Sequence, residues 1–273
     1  MIDIKGYIMY FGKSLWITLF LVILSTSVQA ADSQDGVVKL VADKWCPYTC
    51  DDSKANKGLL TEVAQQAFAT RQMTTKYTPT VWTRALYSVE HGFQDAVMGV
   101  DEGFIGNYSV YSGFYIVDET VFVIKRGSGV TLNVGEDLLK YKLGLVAEYT
   151  YGQLFERVPA IKDHSNQIKI YTDQGEEKLL SLLLNGRIDI SVGNLDVARM
   201  YLNKSGRLAE TEILRKDLAD KVYIAFTKSP RGEMLTREFV KGFQTILKNG
   251  TLKSIFDKYD IEMPNYELQT IQE

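Results

Sequence analysis

Histidine, cysteine, tryptophan and proline are all scarce in this chain: two, two, three and five of them among 273 residues. His91 and His164 lie far apart and support neither a metal site nor a catalytic dyad. Cys46 and Cys50 have no third cysteine or nearby histidine to complete a zinc set, and the spacing is CxxxC rather than the CxxC of redox motifs. They read as one local disulfide that staples a loop or, failing that, as two buried thiols. Neither charge dominates: 31 basic against 34 acidic residues leave a net of −3, and no basic run with interleaved aromatics appears. That argues against nucleic acid as a partner. A composition 45% hydrophobic and 24% charged is ordinary for a globular chain and excludes disorder. A membrane-length apolar run is missing too: residues 15–24 give about half of the ~20 residues that a span needs.

That short run has another use. Lys5 and Lys13 stand before it, and STSVQA follows, with small Val28 and Ala30 where a signal peptidase reads. The expectation is a signal peptide over residues 1–30, cleaved after Ala30, and a periplasmic protein beginning at Ala31; an uncleaved anchor is the alternative. Losing two bases and one acid, the mature chain carries 29 basic and 33 acidic residues, a net of −4. An oxidising compartment permits the Cys46–Cys50 bond.

One stretch occurs twice. Residues 85–100 read ALYSVEHGFQDAVMGV, and residues 179–194 read LLSLLLNGRIDISVGN, with Gly92, Asp95 and Gly99 matched 94 positions later by Gly186, Asp189 and Gly193. Each copy is an apolar helix, a glycine suited to a left-handed helix end, an aspartate and a uniformly apolar strand. The aspartates are expected to cap the strand entries. Two helix-to-strand units imply two similar lobes of an α/β fold, with a cleft beyond the carboxyl ends of the strands, at residues 100–102 and 194–196.

Period and propensity place strands at 37–42, 75–77, 120–125, 143–146, 168–171 and 222–226 besides the repeat strands. Helices are expected at 59–70, 153–158, 176–184, near 197–202, and in two pieces over 233–259 broken at Asn249-Gly250, with Thr83 as a candidate cap for the helix of the first copy. Segments 120–125 and 221–226 would cross between lobes as two hinge strands, so that the lobes open and close as a clamp. Lobe 1 is expected to hold 31–124 with 222–273, and lobe 2 to hold 125–221.

These features resemble the bacterial extracellular solute-binding proteins of family 3, the type II periplasmic binding fold. The likeness rests on Trp45-Cys46-Pro47-Tyr48 after the first strand, Gly58 with Glu62, Trp82-Thr83-Arg84-Ala85, both Gly-x-x-Asp entries, and Asn249-Gly250-Thr251-Leu252-Lys253-Ser254-Ile255 with Lys258-Tyr259. The resemblance implies a two-lobed fold and a small polar solute such as an amino acid, held by a monomer without cofactor and presented to an ABC permease or a membrane sensor. It places the aromatic platform at Trp45 and Tyr48, an anion-receiving loop at Tyr149 and Thr150, and an ammonium-binding position at Asn194, with Asp196 as substitute.

The family's Thr-Pro-Glu-Arg is absent. Asp101 and Glu102 stand where its carboxylate-pairing arginine would follow. Either Arg84 supplies the missing charge, or the pocket takes a cationic or neutral ligand. Outside solute binding, the resemblance extends to dehydratase-like enzymes, where Glu102 or Glu148 would be a general acid or base, and to stand-alone sensory modules. Solute binding without catalysis is the reading these residues favour.

Overall fold

In the computed structural model, which describes residues 36–51, 55–111, 113–133 and 135–267, the two repeat aspartates make the same bonds. The Asp95 amide donates to the Lys39 carbonyl at 2.9 Å, and its carboxylate accepts from the Lys39 amide at 2.8 Å. Asp189 does both to Lys142, again at 2.9 and 2.8 Å. Each pairing stitches the repeat strand to the first strand of its own half. β3 (Ala96–Asp101) thereby lies beside β1 (Val37–Ala42) with Leu40 opposite Ala96, and β8 (Ile190–Asn194) beside β6 (Leu143–Val146) with Leu143 opposite Ile190. Before each aspartate the helix ends on a left-handed glycine, Gly92 at φ +73° and Gly186 at φ +68°.

The remaining strands are β2 (Thr74–Pro79), β4 (Tyr108–Val110), β5 (Ile116–Lys125), β7 (Gln167–Ile170) and β9 (Thr211–Thr227). Strand order is β2-β1-β3-β9-β5-β8-β6-β7, with β4 added along β9. The order is a palindrome in kind: β1 and β6 are each flanked by a parallel neighbour on both sides, and β9 and β5 meet antiparallel in the middle. Both central strands serve two halves. β5 pairs β9 from end to end but shifts register between Glu119 and Val121, and only from Thr120 onward does it also pair β8. β9 in turn leaves β5 after Val222 and runs on along β3 and β4.

Helices cover both halves of this curled sheet. In the first half α1 (Leu59–Ala69) buries Leu59, Leu60, Val63, Ala64, Ala67 and Phe68, an apolar face at helical spacing. It packs with β1 and with the two C-terminal helices, α6 (Pro230–Lys248) and α7 (Thr251–Tyr259), in one cluster that includes Phe239, Phe243 and Phe256. α2 (Trp82–Glu90) covers the other side. In the second half α3 (Gly152–Arg157), α4 (Gly175–Leu184) and α5 (Leu195–Lys204) enclose two clusters built on Phe122, Leu145, Ile190 and Val192 and on Val121, Val123, Leu179 and Leu183. The fold is thus the two-lobed α/β architecture the sequence suggests.

Three local expectations need correction. Thr83 is not a cap, because α2 starts at Trp82 after Val81 and no side chain caps it. The strand expected at 222–226 is the end of a 17-residue strand; Arg215, Lys216 and Asp217 hide its first part from an apolar-run criterion. The strand expected at 120–125 begins at Ile116. The C-terminal helix pair does break at Asn249-Gly250, with Gly250 at φ +82°. Cys46 and Cys50 are disulfide-bonded. The signal peptide and its cleavage site lie outside the described residues, among which no helix is long and apolar enough to cross a membrane.

Candidate functional site

The carboxyl ends of β1, β3, β6 and β8 converge with the middle of β5 and β9 on one cleft. It encloses about 610 Å³, open mouth included. Its charged lining is of one sign: Asp43, Asp101, Asp118, Glu176 and Asp220 face it, and among the described residues no lysine, arginine or histidine does. Its apolar walls are aromatic, from Trp45, Trp82, Phe104, Tyr149 and Tyr151.

Each carboxylate has a structural reason for its place. Asp43 is the first residue beyond β1, and Asp101 ends β3. Just before Asp101, Gly99 at φ +100° carries the bulge where β3 slips against β9, which is a glycine conformation. Asp118 and Asp220 lie opposite each other in β5 and β9. Glu176 is in the first turn of α4 and reaches Gly193, where a β-carbon would stand 2.4 Å from its Oε2. Gly193 is therefore the residue that admits this side chain.

Burial costs these groups their charge. Glu176 is 6% exposed, and burial, with the neighbouring Asp118 adding repulsion, pushes its carboxyl up to about 8. Burial likewise raises Asp118 to about 7, and Asp43 and Asp101 to about 6 each. Asp220 is raised in the same direction for the same reason. The Tyr149 and Tyr151 hydroxyls are pushed well above the usual phenol range, again chiefly by burial, and stay neutral.

Hydrogen bonds from one half to the other cross the cleft. The Trp45 indole donates to Glu176 Oε1 at 2.9 Å, and the Tyr48 hydroxyl to Asp196 Oδ2 at 2.7 Å. The Tyr149 hydroxyl donates to Asp43, and Asn194 Nδ2 to Asp118 Oδ1 at 2.8 Å. Lys44 stands 3.7 Å from Asp173 across the same gap.

Three backbone donors at the cleft already hold the protein's own carboxylates. Asn194 N donates to Glu176 at 2.7 Å, Gly103 N to Asp101 at 2.8 Å and Gln153 N to Asp220 at 3.3 Å. Gly152 makes room for the last contact, since a β-carbon there would meet Asp220 at 2.2 Å.

Solved structures with this fold exist. An ancestral arginine-binding protein bound to arginine superposes with a TM-score of 0.69 at 19% identity, covering 82% of this chain and 98% of that one. An ABC uptake transporter substrate-binding protein from Streptococcus pneumoniae with bound histidine gives 0.70 at 19% identity, over 83% of this chain and 93% of that one. A histidine kinase sensor domain with similarity to periplasmic binding proteins gives 0.68 at 19%, over 82% and 95%. The chain has their fold. No family model and no curated protein matches its sequence.

Within this periplasmic-binding-protein-like fold, Trp45, Asp101, Tyr149, Thr150 and Asn194 line the cleft, as their positions in sequence suggest. Four other candidates stand outside the lining. Arg84 is exposed on α2, because Trp82, Ala85 and Val89 form the face of that helix that is buried. It does not supply the missing positive charge. Tyr48 is fully buried against Trp45, with ring centroids 4.3 Å apart. Asp196 is occupied by the Tyr48 hydroxyl. Glu102 turns to the Tyr223 hydroxyl at 3.1 Å. Glu148, the other general acid or base considered, is exposed and not part of the lining.

Asp43, Asp118, Glu176, Asp220 and Tyr151 were not anticipated as site residues. Asp43 had a signal: it ends the first strand, where ligands gather in such sheets. Tyr151 adjoins Thr150 in the loop already singled out; Asp118, Glu176 and Asp220 reach the cleft through pairings over long sequence separations, and nothing in their local sequence marks them.

Proposed function

We propose that this chain is a periplasmic solute-binding protein that closes two lobes around a small polar solute and presents it to an ABC transporter or a membrane sensor. One observation carries the reading: the enclosed cleft draws its lining from both halves, and Trp45, Tyr48, Tyr149 and Asn194 tie those halves together across it. The moving lobes are residues 31–124 with 222–273 and residues 125–221. Val121, Phe122, Val123 and Ile124, at the end of the first segment, pack with the second half. A solute that touches both halves stabilises the closed form by its differential affinity for that form.

The neighbouring structures support binding rather than catalysis, since those named are binding proteins and a sensor domain. Both residues considered as catalytic acid or base stand outside the lining. Export follows from the signal peptide read at residues 1–30, and the solute-binding role fits a monomer. A sensor domain among proteins of this fold keeps sensing beside transport as the downstream step. A thermal-shift screen of the exported chain against amino acids, amines, organic acids and sugars tests the reading: at least one class raises the melting temperature. Silence across all four classes would refute it.

A further inference from the structure

We propose that the cleft is built for an organic cation that carries no carboxylate: an amine, guanidine or quaternary ammonium compound. This rests on the solute-binding reading above and names its substrate class.

Two features of the cleft, independent of each other, point the same way. The first is where its donors go. An amino acid needs a partner for its α-carboxylate, either a guanidinium or a set of backbone amides. Among the described residues no basic side chain lines this cleft. The amides at Gly103, Gln153 and Asn194 already hold Asp101, Asp220 and Glu176. Asp220, from β9, reaches Gly152 and the Gln153 amide, directly after the loop at Tyr149 and Thr150 where the family resemblance places the ligand's carboxylate, and the missing side chain of Gly152 lets it approach. A ligand carboxylate entering there would meet carboxylates rather than donors, and would be left as an unpaired buried charge.

The second is the walls. Trp45, Trp82, Phe104, Tyr149 and Tyr151 present ring surface to the same space. Aromatic walls with nearby carboxylates suit a cation twice over: the rings attract it through their quadrupoles and the acids through charge. A neutral sugar would use the acids as acceptors but gains nothing from their repulsion. A cation relieves that repulsion. Burial and the neighbouring carboxylates raise Asp118 and Glu176 toward neutral pH, so that in the empty protein bound protons lessen the same repulsion.

Matched pairs make the test sharp. Isothermal titration calorimetry at pH 8 on the exported chain compares agmatine with arginine, putrescine with ornithine, and choline with glycine betaine; each pair differs chiefly by a carboxylate. The expected result is that at least one of the three cations binds, at least tenfold tighter than its carboxylated partner. The variant Asp101→Asn then weakens that cation at least tenfold, while the empty protein keeps or raises its melting temperature. If a carboxylated member binds as tightly as its partner, or only neutral or anionic solutes bind, the cation inference is overturned and the clamp reading stands. If Asp101→Asn leaves the cation's affinity unchanged, the charge argument is overturned. If none of these and no solute of the wider screen binds, the clamp reading falls and this inference with it.

Discussion

Raising the pH should weaken the empty protein, and Glu176 sets the scale. Its carboxyl is held at about 8 in the folded chain against 4.5 for the free side chain. A carboxyl whose folded value is raised favours the protonated folded form. Its stabilising effect is therefore complete below about pH 4.5 and is lost as the pH climbs to about 8. Each tenfold difference in proton affinity is worth about 1.4 kcal/mol, so this one group accounts for up to about 5 kcal/mol. Asp118, Asp43 and Asp101 act in the same direction at lower pH. Glu238, held low by Arg71, titrates below this window and does not offset them. A domain has only about 5–15 kcal/mol in total. Opening the cleft hydrates Glu176 more cheaply than unfolding does, so part of the loss is relieved that way. The expected net fall between pH 5 and pH 8 is about 2–5 kcal/mol. Urea unfolding across that range measures it, and tryptophan emission should shift to the red as Trp45 leaves Glu176. A midpoint that is flat or rises from pH 5 to pH 8, with constant emission, would refute the charge account of the cleft.

Other outcomes follow from the same contacts. Binding of a cation should tighten from pH 5 to pH 8, as the carboxylates that receive it lose their protons; an affinity that falls with pH would contradict this. Tyr48→Phe removes the hydroxyl link to Asp196 but nothing from the cleft lining, so it should shift the open–closed balance and weaken affinity by a few-fold, as titration calorimetry can show. Gly193→Ala places a β-carbon 2.4 Å from Glu176 Oε2; it should displace that side chain and abolish tight binding while the second half still folds, as circular dichroism and calorimetry together can show. Asp95→Ala removes the carboxylate that accepts from Arg231 and the Lys39 amide and should cost about 2–4 kcal/mol in urea unfolding. Asp189→Ala, at an exposed copy of the same junction, should cost about 1 kcal/mol.

The junctions of this fold were legible because their causes are local. A helix end needs a left-handed glycine, and the next strand begins one hydrogen-bonded aspartate later, so Gly92 with Asp95 and Gly186 with Asp189 announce themselves. Apolar strands buried on both faces, such as residues 190–192, do the same. β9 was legible only at its end, because its first part carries Arg215, Lys216 and Asp217 at the edge of the second half. The site divides along the same line. Asp101 and Asn194 follow strand ends and could be placed from topology, while Trp45, Tyr149 and Thr150 were placed by the family resemblance. Glu176 could not: its partner Trp45 is 131 positions away. A glutamate in the first turn of a helix is an ordinary surface residue unless the fold brings an indole and Gly193 to it. Arg84 misled for the converse reason. Its charge fitted a gap in the motif, but the stripe of Trp82, Ala85 and Val89 turns that side chain to solvent.

The claim that binding and closure are one event is tested most directly by small-angle X-ray scattering at pH 8, with and without a saturating amount of a cation that binds in the calorimetric pairs. The radius of gyration should fall when the cation is added, because a ligand held by both halves draws the ionised cleft shut. An unchanged radius with the cation demonstrably bound would contradict a clamp.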